Sequence, residues 1–185
     1  MVNYSSPPRD SIALDFIDPL CYVQRGFDGR GCYGSDCHDA CCRYGADVDR
    51  ATHTLIMDHV DSLEKKVGSD RTQWFSEAWS GQADFLGGDS IRSNVGADGY
   101  CVFHVPNGKG CALYQLAFSG IDLTIVPSIC RVYPLSWDGG QLKVSDHLEP
   151  SCNCVHASHC STHSLLETQT HEVEKIFQIA EPQRK

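Results

Sequence analysis

Cysteine thiols carry the chemistry this chain can do, and their spacing is uneven. Of its 11 cysteines, Cys32, Cys37, Cys41 and Cys42 fall in one short run with glycines before and after it. Cys101, Cys111, Cys130, Cys152, Cys154 and Cys160 form a second batch, and Cys21 stands apart among Leu20, Tyr22 and Val23. A short loop lets successive thiolates turn toward one centre without a backbone ladder in the way. Adjacent Cys41 and Cys42 point in different directions on either a helix or a strand, so the pair serves two centres or splits into one ligand and one core thiol. Zinc takes four thiolates at about 2.3 Å, and iron–sulfur clusters also use four cysteines with added sulfide, so the cysteine count admits both. Cys21, in its apolar setting, reads as core.

Near the C-terminal end, Cys154-Val155-His156-Ala157-Ser158-His159-Cys160-Ser161-Thr162-His163 brings imidazoles and thiols together. On a helix His156, His159, Cys160 and His163 would share a face, a donor set suited to zinc or copper and a possible second site. A solvated polar loop is the plainer reading. His38 and His104 sit beside cysteines and suit a supporting role, with a hydrogen-bonded hairpin histidine the simpler account of His104. Asp36, Asp39, Asp47 and Asp49 rim the first run and are explained as helix caps and dipole partners. Arg131 and Tyr133 flank Cys130 and read as structural, the arginine in an ion pair and the tyrosine in the core. No phosphate-binding glycine loop, nucleophile elbow or His-Glu-x-x-His helix is present.

Four blocks together carry a family resemblance: the C-x4-C-x3-CC run, Cys101-Val102-Phe103, Gly110-Cys111-Ala112-Leu113-Tyr114, and Pro127-Ser128-Ile129-Cys130-Arg131-Val132-Tyr133-Pro134. Over roughly Cys32 to Cys154 the chain resembles the YkgJ-like eight-cysteine cluster proteins, described as zinc- or iron-chelating or iron–sulfur-binding and of unknown function. The resemblance implies Cys32, Cys37, Cys41, Cys42, Cys101, Cys111 and Cys130 as metal ligands, with Cys152 or Cys154 as the eighth. The first spacings are longer than the commoner CxxCxxCC form, which leaves the pairing of ligands to centres open. Some relatives with similar motifs look like protein-modifying enzymes, so an enzymatic role stays open too.

Composition narrows the partners. A formal net charge of −9 argues against nucleic acid and anionic lipid, which are held by clustered Lys and Arg. No apolar run approaches the roughly 20 residues that cross a bilayer, and the first residues lack a secretory signal pattern. These features lead to an expectation of a cytoplasmic protein, where an odd number of thiols is better used on metal than in disulfides.

The positioning elements follow from local rules. Residues 1–20 are expected as an irregular arm. Asp47 or Asp49 caps a helix whose Ile56, Val60, Leu63 and Val67 form one apolar face, and Gly68 stops it. A second helix is expected over Thr72–Trp79, and a turn at Gly87-Gly88. One hairpin joins Ser90–Val95 to Tyr100–Val105, another joins Leu135–Trp137 to Gln141–Val144, and a further turn spans Asn107–Gly110. Cys111–Phe118 is helix-like, while Pro127 and Pro134 are expected to keep the Cys130 segment out of regular helix. Ser164-Leu165-Leu166-Glu167 is a capping box opening a C-terminal helix over 164–181.

The expectation is a small, loop-rich α+β single domain spanning 1–185, with short hairpins and two longer helices around a cysteine-ligated metal centre. Its cofactor would be an iron–sulfur cluster or Zn in a structural or electron-transfer role. The alternatives are a metal-dependent enzyme modifying a peptide or protein, and a metal-handling module that docks on a larger complex.

Overall fold

The computed structural model describes residues 11–27, 39–82, 88–105, 110–148 and 162–179. Together they form a small α+β fold, with three small sheets and helices packed on two apolar clusters.

The first cluster is built by the two ends of the described chain and a central hairpin. Strand β1 (Ile12–Leu14) pairs in parallel with β7 (Phe177–Ile179), and β2 (Phe16–Ile17) pairs in parallel with β6 (Gln141–Val144). Strand β5 (Leu135–Asp138) completes the second sheet, antiparallel to β6, as the expected hairpin. Gly139 and Gly140 both hold left-handed φ in its two-residue turn, as glycine does most readily. A Cβ on Gly140 would also come within 2.7 Å of an Asp15 carboxylate oxygen. Residues 1–20 are therefore not wholly irregular, because Ile12 and Leu14 gain burial by docking on a distant strand.

Helix α1 (Leu20–Val23) buries Cys21. Helix α6 (Leu165–Ile176) starts at the predicted capping box, with the Glu167 amide donating to Ser164 Oγ at 3.2 Å and the Ser164 amide donating to Glu167 Oε2 at 2.6 Å. These bonds hold the Glu167 carboxyl below its ordinary range. The helix stops at Ile176, short of the predicted 181, because Phe177 turns extended to bury its ring beside β1.

The second cluster uses the middle of the chain. Strands β3 (Asp47–Asp49) and β4 (Ser90–Arg92) pair antiparallel. Asp49 caps α2 (Arg50–Asp58) by accepting from the Thr52 amide at 3.0 Å, and α3 (Val60–Val67) ends at Gly68 in the left-handed conformation. The expected single helix is broken at His59, whose amide donates to Ile56 O, three residues back, and tightens the turn. Its apolar face survives the break, since Ile56, Val60, Leu63 and Val67 are all buried.

The helix expected over Thr72–Trp79 is only a 3-10 turn, Arg71–Gln73. Beyond it the Ser76 amide donates to Arg92 O and the Asn94 amide to Trp74 O, so the segment bonds across to the β4 region instead of to itself. Trp74 is nonetheless fully buried, with its ring edge-on to Phe103. The first predicted hairpin shrinks to one antiparallel bridge, Val95 to Cys101, because β4 is taken up by β3. Helix α4 (Ala112–Phe118) forms where expected. Helix α5 (Ser128–Val132) corrects the reading of the Pro127–Pro134 segment: the Pro127 carbonyl accepts from the Cys130 and Arg131 amides and opens a helix, and extended Tyr133, before Pro134, ends it. Gly87 and residues 107–109 of the expected turns lie outside the described residues.

Candidate thiol centre

Three cysteines that are far apart in sequence converge at the rim of the second cluster. Cys42 lies in a 3-10 turn, Ala40–Arg43, that follows Asp39. Its carbonyl accepts a hydrogen bond from the Cys101 amide, which lays the turn against the loop after β4. Cys111 precedes α4 and forms an antiparallel bridge with His104, while the Ala112 amide donates to Phe103 O at 2.8 Å.

Ser93 fixes the underside of this arrangement. It is buried, its Oγ lies 3.4 Å from Cys101 Sγ, and the same oxygen accepts from the Ala46 amide at 2.8 Å. Gly45, with φ +68, allows the approach, since a Cβ there would stand 2.5 Å from the Ser93 carbonyl. Neither Ser93 nor Gly45 is marked by any cysteine spacing.

The thiols respond to burial and to one another. Burial pushes the Cys111 thiol far above its ordinary range, and negative charge on Cys42 or Cys101 adds to the shift. Burial likewise raises Cys101, and charge on Cys42 raises it further, although the Ser93 hydrogen bond opposes this. Cys101 and Cys111 are therefore both held in the neutral thiol form by burial, more strongly when a neighbouring thiol is charged.

Asp39 ties the three segments to each other. It is the one non-glycine with positive φ among the described residues, +55°, a conformation that costs an L residue about 1 kcal/mol and that Asp tolerates better than most. Its side chain does not cap the following turn, contrary to the cap expected of it. One carboxylate oxygen instead accepts from the Gly110 amide at 2.9 Å and lies 3.0 Å from His104 Nε2. Tyr100 stacks on the His104 ring at 4.3 Å between centroids, and the Arg43 guanidinium covers the far side of this group, 4.9 Å from the Tyr100 centroid. His104 is thus hydrogen-bonded as expected, although its antiparallel partner is Cys111 and not the expected strand over Ser90–Val95. An open cavity of about 600 Å³ has Cys101, His104, Tyr100 and Asn94 on its wall.

The other predicted site residues fall in several places. Cys41 is half-buried beside Cys42. Cys130 is half-buried on α5 against the second cluster, and its carbonyl accepts from the Tyr114 hydroxyl at 3.2 Å. Cys21 is completely buried in the first cluster, as its setting suggested, with its thiol pushed up to about 11 by burial and then by Asp18. His163 is exposed, with Nδ1 3.9 Å from Glu167 Oε2. Cys32, Cys37, His38, Cys152, Cys154, His156, His159 and Cys160 lie outside the described residues. Of the acidic rim, Asp49 is a cap, Asp47 pairs with Arg92 at 2.9 Å, and Asp36 lies outside the described residues. Arg131 is buried in an ion pair with Glu172 at 2.9 Å that pins α5 to α6.

Among the described residues no group of three or more His, Cys, Asp or Glu side chains is arranged to hold a metal ion. No helix among them is long and apolar enough to cross a membrane. Set against family models, curated proteins and solved structures, the chain has no match in any of the three comparisons.

Proposed function

We propose that this chain is a cysteine-ligated metalloprotein whose centre, an iron–sulfur cluster or zinc, has a structural or electron-carrying role. The convergence of Cys42, Cys101 and Cys111 from three separate stretches carries the reading. A core explanation serves an isolated buried thiol such as Cys21, because nothing is lost by keeping it protonated. Cys101 and Cys111, raised by burial and by nearby thiolate charge, would gain from a cation that takes them as thiolates, so that binding free energy becomes folding free energy.

The donor chemistry fits: thiolates are the soft ligands that zinc and iron–sulfur clusters share. Cys42, Cys101 and Cys111 would hold the metal, joined by those of Cys32, Cys37, Cys41, Cys130, Cys152 and Cys154 that the family resemblance implies. Bound there, the group would cross-link the turn, the loop and α4, or carry one electron at a time. Free thiols at Cys21, Cys42, Cys101 and Cys111 suit a reducing compartment such as the cytoplasm.

Anaerobic purification followed by iron, zinc and acid-labile sulfide analysis and a visible spectrum is the test. Iron with sulfide in a brown protein identifies a cluster, and zinc in a colourless one a structural or hydrolytic centre. A protein that is metal-free as isolated and takes up neither metal overturns the proposal.

The cavity supports a second reading, a metal-dependent enzyme acting on a peptide or protein. His104, held by Asp39, lies on its wall beside Cys101, where an imidazole could move a proton to or from a bound substrate. His104→Ala should then abolish peptide modification per bound metal; a His104→Ala protein that keeps full activity per bound metal removes this reading.

A further inference from the structure

We propose that Asp39 is a positioning residue for the thiol centre, acting as a clamp that holds the three thiol-bearing segments together; this rests on reading Cys42, Cys101 and Cys111 as one centre. Its backbone carbonyl accepts from the Cys42 amide at 2.8 Å, so it sits at the root of the Cys42 turn. Its carboxylate reaches the other two segments at once, His104 three residues beyond Cys101 and Gly110 immediately before Cys111. Both side chains of the Asp39–His104 pair are sheltered, at 15% and 12% exposure, so water competes weakly for these bonds.

The left-handed backbone at Asp39 is what turns its carboxylate away from the cap position and toward the two partners. The role divides into two requirements, an acceptor oxygen and a left-handed φ. Asparagine meets both, because its amide oxygen can accept from Gly110 and from a protonated His104 nitrogen. Glycine meets only the second, so it removes the clamp without adding backbone strain.

Phenylarsine oxide reads thiol convergence without the native metal, since its arsenic forms bonds to two thiol sulfurs and its oxygen leaves as water with the two thiol protons. Full-length protein freed of metal under conditions that leave its circular dichroism unchanged is treated with it and then with iodoacetamide, and alkylation of Cys42, Cys101 and Cys111 is followed by peptide mass. In the unsubstituted protein the arsenical should protect Cys101 and Cys111. Asp39→Gly should cut that protection about tenfold, the scale on which groups supporting a metal's ligands act, and Asp39→Asn should restore it to within about twofold. Circular dichroism of Asp39→Gly should match the unsubstituted protein.

Protection in Asp39→Gly equal to that of the unsubstituted protein overturns the role, as does absence of protection in the unsubstituted protein. Should Asp39→Gly fail to fold, His104→Phe removes one arm of the clamp while keeping a ring against Tyr100, and undiminished protection there overturns the role equally. Arsenical protection that depends on Asp39 in a protein that is isolated without metal and takes up neither iron nor zinc would discard the metalloprotein reading and leave the positioning role in place.

Discussion

The two apolar clusters treat cysteine in opposite ways. In the first, Cys21 is a single thiol among Ile12, Leu14 and Leu142, with the Leu142 carbonyl 3.8 Å from its sulfur. At the rim of the second, Cys101 and Cys111 are half-buried, yet each lies within the electrostatic reach of other thiols, and their segments are braced by Ser93, Asp39 and His104. Burial raises the pKa in both places. What separates the two settings is therefore the neighbours: Cys21 replaces a small hydrophobe, whereas Cys101 and Cys111 feel the charge of other thiols.

The largest effect expected from that contrast is metal removal. If the proposed thiolate centre is present, it would contribute on the order of 10 kcal/mol, and stripping its metal should loosen the second cluster before the first. In a variant keeping only Trp74, made by Trp79→Phe and Trp137→Phe, fluorescence should shift to the red on stripping. A variant keeping only Trp137, which lies edge-on to Phe177 in the first cluster, should shift less. Equal shifts, or none, would erase the distinction between the clusters.

Matched core deletions sharpen it further. Leu63→Ala and Leu142→Ala both empty fully buried aliphatic positions and should each cost about 3 kcal/mol in denaturant unfolding. Leu63→Ala should also speed metal loss to a chelator, since it loosens the cluster that α4 and Cys111 rest on, and Leu142→Ala should leave that rate unchanged. Metal loss accelerated equally in both would mean that the centre draws on the whole fold.

A smaller effect belongs to Cys21 itself. Its thiol ionises near 11 in the folded chain and near 9.0 when unfolded, so the folded state binds more protons between these values. Its contribution is fully present below pH 9 and is lost as pH rises through 11, by at most about 3 kcal/mol. Cys21→Ala should flatten that part of the stability profile, cost about 1 kcal/mol at neutral pH, and leave metal content unchanged. Loss of metal in Cys21→Ala would place this thiol in the other class.

Local chemistry made the helix ends legible. Asp49, Gly68 and the Ser164–Glu167 box act through residues three or four positions away, and the Asp138-Gly139-Gly140 turn joins strands that are neighbours in sequence. The same locality misled at Pro127–Pro134, where the prolines bound a short helix, and at Asp39, where the sequence offers a cap and the carboxylate goes elsewhere. A residue's side chain answers to whatever the fold brings within reach, and that information is spread over distant positions.

The sequence alone determined the α+β class, the apolar face that α2 and α3 share, the capping box of α6 and a store of 11 thiols. Only the tertiary structure decided that β1 would pair with β7, that β4 would pair with β3, and that the segments carrying Cys42, Cys101 and Cys111 would lie together. The reason is range. Helix caps and tight turns are settled by bonds within a few residues, whereas strand pairing and side-chain convergence close long loops and are settled by burial summed over the whole chain.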